Sequence, residues 1–329
     1  MLALEPLFAS LDQPPASGED HLVSAKPIPG HEHFRIAKDA AGCALILASI
    51  ASGATGAQAS LVLEHLRVEP ARPCRVRHPN GAVESGTFTV VTCVSHEPPL
   101  RSYFLLVAGL IVESSGEAAS LPGKIQAFVE LFRALQQPAR KSAQGLWAEL
   151  ALILWSRKPA TLLRAWHAQP EERFDFSLGR DRVEVKSTIG PQRRHHFSQM
   201  QLDLPRDTSA VVASMFVERA GGGVSIRSLM DRIGRLASSE PDLLLRLESV
   251  VAATLGSTLR SSIAECFDLE RASGSLRYFD ARIIPRVPEP IHPALSDLRF
   301  VVDLGGVPSL ETVPAGDPEA LIACLPMPR

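Results

Sequence analysis

Three charged side chains in one short stretch of this 329-residue chain have the types and the spacing to do chemistry. Asp175 is followed by Glu184, and Lys186 comes two residues after Glu184. Carboxylates supply the oxygen ligands that hard divalent cations such as Mg²⁺ take, while the remaining ligand positions are left to water and phosphate oxygens. A lysine beside such an ion can reach an attacking water or a scissile phosphate. The three residues therefore point to metal-assisted phosphodiester hydrolysis.

The surrounding residues predict a β-hairpin that brings these charges together. Apolar and polar residues alternate over 174–178 and again over 182–186, which is the period of half-buried strands. A two-residue turn at Gly179-Arg180, with Gly first as type II′ requires, joins the two strands. Its apolar cross-strand pairs are Phe176 with Val183 and Phe174 with Val185. The same register sets Asp175 opposite Glu184, and two carboxylates that close repel each other unless a cation lies between them. The alternative is a strand pair with a solvated charged face.

A helix predicted upstream over 144–155, with Ser142 as its cap, carries a further glutamate. One broad side of this helix is apolar, formed by Leu146, Trp147, Leu150, Ile153 and Leu154. Glu149 lies at the edge of that side, where an unpaired carboxylate packed against a sheet would be costly. A metal ion in the adjacent site, or a water near it, would be a suitable partner. A side chain that reaches solvent is the alternative.

Asp, followed by Glu-x-Lys on the next strand, resembles the motif of the PD-(D/E)XK nuclease superfamily. A wider set of residues in this chain is similar to an uncharacterised bacterial family of PD-(D/E)XK motif proteins linked to restriction and phage defence. It comprises Gly145–Leu150, Ala165-Trp166, Asp175-Phe176, Glu184-Val185-Lys186 and Gln201-Leu202. The resemblance implies an α/β (α+β) fold. Its restriction-endonuclease-like core, a mixed central sheet flanked by helices, would cover about residues 142–285 and follow a β-rich N-terminal domain.

The resemblance also implies roles for the site residues. Asp175, Glu184, Glu149 and the carbonyl group of Val185 are the expected metal ligands. The three carboxylates and Lys186 form the expected catalytic set, in which Lys186 stabilises charge on the attacking water or the phosphate. The implied cofactor is Mg²⁺, with Mn²⁺ as a substitute.

Nucleic-acid contacts are expected close to this site. The net charge of −2 gives no global case for DNA binding, but residues 157–194 contain nine Lys/Arg and five Asp/Glu, an excess of 9 − 5 = +4. Arg193 and Arg194 are candidates for binding phosphates, with a solvated loop as the alternative. Gln201 is added as a nucleic-acid contact because superfamily members keep a Gln beyond the lysine.

The chain is long enough for two domains, predicted at 1–120 and 121–329. The first domain reads as antiparallel β structure and contains no catalytic constellation. Its predicted strands are Phe34–Ile36, Cys43–Ile50, Leu61–Val68, Cys74–Arg77, Gly86–Val94 and Tyr103–Val112.

The second domain mixes helices and strands. A continuous apolar run, Ala210–Val217, predicts a strand in the middle of a sheet. Helices are predicted over Lys124–Gln137, Ala160–His167, Ser225–Ala237 and Pro241–Leu255, with late strands over Leu276–Ile284 and Leu298–Leu304.

Five scattered cysteines, never in a CxxC pair, indicate neither a disulfide framework nor a zinc site. The longest strongly apolar run, Phe104–Val112, is far shorter than the roughly 20 residues that span a bilayer. A cytoplasmic protein without membrane contact is expected.

The sequence therefore predicts a Mg²⁺-dependent DNA endonuclease of a bacterial restriction or anti-phage system. Its expected partners are DNA and other subunits of such a system. The alternative is a DNA-binding or scaffolding subunit with a nuclease fold that is catalytically silent or depends on partners.

Overall fold

The computed structural model describes residues 2–15, 21–49, 59–114, 121–167, 173–288, 291–292, 294–312 and 320–327. The chain divides into two compact units, one of Met1–Gln137 with Ser239–Ala252 and one of Pro138–Ser238 with Ala253–Arg329. The predicted boundary at residue 120 lies outside the described residues, and the first unit continues to Gln137. Within the described ranges, no helix is both long and apolar enough to cross a membrane.

The first unit is built around a closed β-barrel. Its elements are α1 (Glu5–Ala9), β1 (Leu22–Ile28), β2 (His31–Lys38), β3 (Ala44–Ser49), β4 (Leu61–Val62), β5 (Leu66–Arg77), β6 (Val83–Cys93), α2 (Pro98–Glu113) and α3 (Leu121–Ala134). The strands are ordered β1-β2-β3-β6-β5-β4, and β1 also pairs with β5, so five strands form a ring. The predicted β-rich character of this region is confirmed, although Ile50, at the end of one predicted strand, lies outside the described residues.

A bulge in β5 allows the ring to close. The register with β6 shifts between Glu69 and Arg72, and Ala71 between them has a φ of +52°. A bulge bends its strand and increases the local twist. The later part of β5 then pairs in parallel with β1, where Leu22 faces Arg75. Apolar side chains of β1, β2, β3, β5 and β6 fill the interior.

The strand predicted over Tyr103–Val112 is wrong, because these residues lie in helix α2. Pro98 and Pro99 occupy the first helical turn, where the missing N–H groups cost nothing. Gly109 lets the helix approach the N-terminal segment, since a Cβ there would lie 2.5 Å from the carbonyl oxygen of Leu2. The run is buried around most of its circumference, and such a run has no helical period by which to recognise it.

The second unit contains a mixed four-stranded sheet. Its elements are α4 (Ala143–Trp155), α5 (Pro159–Ala165), β7 (Phe176–Leu178), β8 (Asp181–Thr188), β9 (Arg194–Ser198), α6 (Gln199–Leu202), β10 (Ser209–Phe216), β11 (Arg219–Ser225), α7 (Ile226–Leu236), α8 (Pro241–Leu255, most of which belongs to the first unit), α9 (Leu259–Ser262), β12 (Cys266–Phe267), α10 (Leu269–Ser275), β13 (Arg277–Asp280) and β14 (Arg299–Asp303). The sheet order is β13-β10-β8-β7, in which β10 runs parallel to β8 and the other neighbours are antiparallel. The predicted central strand is confirmed as β10, and the mixed α/β class is confirmed.

Helix α4 is the main support of this sheet. The side chain of Ser142 caps the helix by accepting a hydrogen bond from Gly145 N at 3.2 Å, as predicted. Every residue from Leu146 to Ile153 is buried. Trp147 donates its indole N–H to Val224 O at 2.7 Å and packs on the ring of Phe267. These contacts fix the helix that carries Glu149.

Candidate active site

The predicted hairpin forms, but its ladder is shorter than expected. Strands β7 and β8 pair Phe176 with Val183 across a turn in which Gly179 has a φ of +53°. The ladder begins at Phe176, so the predicted pairing of Phe174 with Val185 is absent from it. Asp175 instead accepts a hydrogen bond from Val185 N on its Oδ2, at 2.7 Å. The aspartate side chain thus takes the place of a ladder partner and is held against β8.

Glu149 is buried and bound by three side chains from two segments, the residue pair that follows α5 and the residue before the cap of α4. Its exposure is 2%. Its Oε2 accepts the indole N–H of Trp166 at 2.7 Å and lies 2.9 Å from His167 Nε2, while its Oε1 accepts from Lys141 Nζ at 2.8 Å. The side chain does not reach solvent, which excludes the alternative left open by the sequence. A carboxylate at this depth requires partners, and here the chain supplies them.

Lys141 joins the two buried carboxylates. Its ammonium group donates to Glu149 Oε1 and also to Asp175 Oδ1. Asp175 is 3% exposed, whereas 36% of the Lys141 side chain is exposed. Two adjacent carboxylates that share one lysine form a charge cluster whose net charge is −1 when both carboxylates are ionised.

The pKa values of the two carboxyl groups in this cluster shift in opposite directions. Burial, reinforced by the negative charges of Glu149 and Glu184, raises the pKa of Asp175 to about 7, against the opposing effect of Lys141. Burial also acts to raise the pKa of Glu149, but Lys141 and His167 outweigh it and lower that pKa. Burial opposes the charged form of Lys141 as well, yet the two carboxylates raise its pKa. The cluster therefore holds an ionised glutamate and a lysine ammonium.

Glu149, His167 and Asp175 form a possible metal site. One ligand atom from each lies within 4.8 Å of the other two. His167 adopts a φ of +42°, uncommon for a residue other than glycine, and donates its backbone N–H to Asp175 O at 2.9 Å. Two carboxylates and an imidazole are a donor set that suits a divalent cation. A cationic group of the chain already contacts this donor set, because the Lys141 ammonium binds Glu149 and Asp175.

Glu184 and Lys186 lie beside this cluster. Glu184 Oε1 accepts from Lys186 Nζ at 2.7 Å and from Gln201 Nε2 at 2.8 Å. Its Oε2 is buried and has no hydrogen-bond partner among the described residues. Such an atom is costly unless it has a polar or charged partner, so it adds to the fit of this site to a cation. The Lys186 ammonium also lies 5.0 Å from the ring centre of Phe197.

A cleft of about 400 Å³ opens onto this group. Four cationic side chains and one carboxylate contribute to its lining, together with polar and apolar residues of β9 and α6. The charged ones are Lys141, Arg173, Lys186, Arg299 and Glu184. Lys141 touches both the cleft and the buried carboxylates, so the cleft is the open side of the cluster.

The predicted nucleic-acid contacts have different surroundings. The Arg193 guanidinium points inward, where it donates to Ser214 O and Oγ and to Ser275 O and lies over the ring of Phe216. Arg194 is exposed on β9. Gln201 completes a capping box with Ser198 and binds Glu184. Their contacts with DNA, and the Val185 carbonyl as a metal ligand, stay predictions.

Sequence reasoning missed Lys141 and His167. Lys141 stands just before the cap of α4 and belongs to no periodic pattern. His167 follows the end of α5, where it reads as an ordinary helix terminus. The costly burial of Glu149 was a signal that some partner must exist, but the partner's identity depends on how the chain folds.

Residues 5–305 match the family model described as "Putative PD-(D/E)XK family member, (DUF4420)". Neither the curated proteins nor the solved structures include a match to the chain.

Proposed function

This chain belongs to the family described as "Putative PD-(D/E)XK family member, (DUF4420)", and we propose that it is a divalent-metal-dependent DNA endonuclease of a bacterial restriction or anti-phage system. The proposal rests on one observation, which is that the motif residues are grouped around one cleft. Glu184 and Lys186 line the cleft, and Lys141 connects it to Asp175 and Glu149. Metal-assisted phosphodiester hydrolysis uses carboxylates to hold the ion and cationic groups to stabilise charge on the phosphate.

The element order supports a restriction-endonuclease-like core. Helix α4 is followed by α5, β7, β8 and β9, and then by α6 and β10, which lies parallel to β8 in a mixed sheet, while β9 pairs with β14. Glu149 on α4 and Asp175, which directly precedes β7, are both bound by Lys141. We propose that this unit is the nuclease core, with the five-stranded barrel as a separate module.

The metal would be held by Asp175 and Glu149, with His167 as a further donor. Glu184 and the Val185 carbonyl complete the predicted set. We propose Mg²⁺ as the ion, with Mn²⁺ as its substitute. A bound ion of this kind supplies Lewis acidity and lowers the pKa of the attacking water.

The chain's own residues orient the substrate and balance its charge. Gln201 holds Glu184 through Oε1, and Glu184 Oε2 has no hydrogen-bond partner among the described residues. Lys186, fixed between Glu184 and the ring of Phe197, stabilises the charge that develops on the phosphate. Arg173 and Arg299 are exposed at the cleft and attract the DNA backbone.

A second function, a DNA-binding or scaffolding subunit that is silent or depends on partners, is favoured by one observation. Lys141 neutralises much of the charge of Glu149 and Asp175 without any metal. A nuclease fold that had lost its metal could be stabilised in this way. A metal titration discriminates between the two functions, because only the nuclease is stabilised by Mg²⁺ or Mn²⁺ in a way that Asp175→Ala abolishes.

The direct test is cleavage of supercoiled plasmid and of modified phage genomic DNA in Mg²⁺ or Mn²⁺. Wild type and Lys186→Ala are compared, with Lys124→Ala as a matched control, since Lys124 lies in the first unit and pairs with Asp242. We expect wild type and the control to cleave, and Lys186→Ala to be slower by about 100-fold or more. Undiminished cleavage by Lys186→Ala would remove this residue from the mechanism. Absence of both cleavage and metal stabilisation in wild type would favour the scaffolding function.

A further inference from the structure

The carboxylates of this site are already occupied by a cation that belongs to the chain. Lys141 Nζ donates to Glu149 Oε1 at 2.8 Å and to Asp175 Oδ1, and it lies 3.5 Å from His167 Nε2. These three side chains, Glu149, Asp175 and His167, form the possible metal site found among the described residues. The ammonium therefore sits among the atoms that a divalent ion would take as ligands.

Burial explains why the chain needs this cation. Glu149 and Asp175 are almost fully buried, and two carboxylates at that depth repel each other unless positive charge separates them. A lysine supplies one positive charge and three donors, enough to bind both oxygens. The protein can thus fold without metal and keep its carboxylates in place.

The cleft offers the Lys141 ammonium group an alternative position away from the carboxylates. Its side chain is 36% exposed and lines the cationic cleft. An ammonium group released from the carboxylates would face this cleft and gain access to solvent and to phosphate oxygens. Exchange of the ammonium for an ion therefore does not require an unpaired charge to be buried.

We propose that Lys141 is an internal competitor for the metal, which holds Glu149 and Asp175 in the metal-free protein and must be displaced before a divalent ion binds. This inference rests on the proposed metal site and adds a control to it. Lys141 lowers the affinity of the site, so that the ion is bound only above a threshold concentration set by the strength of the lysine contacts. Displacement also adds a cation to the cleft when the metal enters.

The test measures binding of Mn²⁺ alone, without DNA, by titration calorimetry. Lys141→Met removes the ammonium and keeps a side chain of similar length. Arg173→Met is the matched control, because it removes one cationic side chain from the same cleft, and the contacts found for Arg173 do not involve Glu149 or Asp175. We expect Lys141→Met to lower the Kd for Mn²⁺ at least about tenfold, which corresponds to about 1.4 kcal/mol. The control should change the Kd less than about threefold.

Further variants make the result decisive. Lys141→Arg keeps the charge and should bind Mn²⁺ as weakly as wild type, and Asp175→Ala should abolish binding at this site. If Lys141→Met is unfolded without metal, Mn²⁺ should restore the folded state, because the ion then replaces the missing charge. Failure of Mn²⁺ to restore it would contradict the proposal.

Different experimental results would contradict the competition by Lys141 and the proposed metal site. Equal affinity of wild type and Lys141→Met for Mn²⁺, abolished by Asp175→Ala, would overturn the competition and leave the metal site in place. Absence of binding in every folded variant would overturn the metal site itself, and the nuclease proposal with it.

Discussion

Glu149 should be one of the main contributors to the stability of the second unit. In Glu149→Ala the indole N–H of buried Trp166 loses its carboxylate acceptor, and Lys141 loses one of its two buried partners. Leaving a buried donor without an acceptor costs about 1–3 kcal/mol. Lys141 keeps Asp175 as its partner and is 36% exposed, so loss of its ion pair with Glu149 costs less than the about 3–5 kcal/mol of a fully buried pair. The two costs overlap because they share one side chain, so we expect a loss of about 2–4 kcal/mol.

Glu149→Gln separates the charge from the hydrogen bonds. Glutamine has the same size, and its amide oxygen can still accept from Trp166, but it no longer balances the charge of Lys141. We expect it to cost less than the alanine variant, about 1–3 kcal/mol. Glu218→Ala is the control, because this glutamate forms a salt bridge with Arg271 in which both side chains are 57% exposed. Its loss should cost less than about 1 kcal/mol.

The assay is urea unfolding followed by tryptophan fluorescence. The three tryptophans of the chain, Trp147, Trp155 and Trp166, all lie in the second unit, so the signal reports on that unit. The free energy of unfolding is obtained for each variant by linear extrapolation. A loss below about 1 kcal/mol in Glu149→Ala, or equal losses in Glu149→Ala and Glu218→Ala, would refute the assignment of Glu149 to a buried charge network.

Two further predictions concern the fold around the site. His195 is 3% exposed and lies 2.8 Å from Ser214 Oγ, and burial, aided by the charges of Lys186 and Arg193, lowers its pKa to about 4. The unfolded chain binds a proton at His195 below pH about 6.5, whereas the folded protein does so only near pH 4, so His195 should lower the free energy of unfolding by about 3 kcal/mol between these values. Asp175 opposes this contribution, because its raised pKa acts in the other direction. His195→Gln should remove this part of the pH dependence, and identical profiles for both proteins would contradict it. Gly223→Ala should destabilise the second unit by about 1–3 kcal/mol, because a Cβ there would lie 2.3 Å from the carbonyl oxygen of Phe267 on the facing strand. Gly222→Ala has open space around it and should cost much less. Equal urea midpoints for the two alanine variants would show that the facing strand can move to accommodate the Cβ at little cost.

Local signals in the sequence were sufficient for much of the second unit. The alternation around Gly179 predicted the hairpin and its first cross-strand pair, and Ser142 predicted the start of α4. The apolar run from Ala210 predicted a central strand, which is β10. These features depend on neighbours within a few residues, and their physics is the period of burial, the turn and the cap.

The first unit shows where such signals fail. The residues of α2 are apolar on nearly every side, and a segment buried all round has the same composition whether it is a helix or a strand. Two prolines at its start were compatible with a turn as well as with a first helical turn. Closure of the barrel depends on a pairing between β1 and β5, which are far apart in sequence, and no local pattern specifies it.

The sequence by itself determined the set of motif side chains, Asp175, Glu184, Lys186 and Glu149, whose catalytic roles stay predictions. Only the tertiary structure decided what surrounds them. Lys141 is eight residues from Glu149 and 34 from Asp175, yet its ammonium binds both carboxylates. The physical reason is that burial obliges a charged group to have a partner but does not say which residue provides it. That choice is made when α4, the end of α5 and the β7–β8 hairpin pack together.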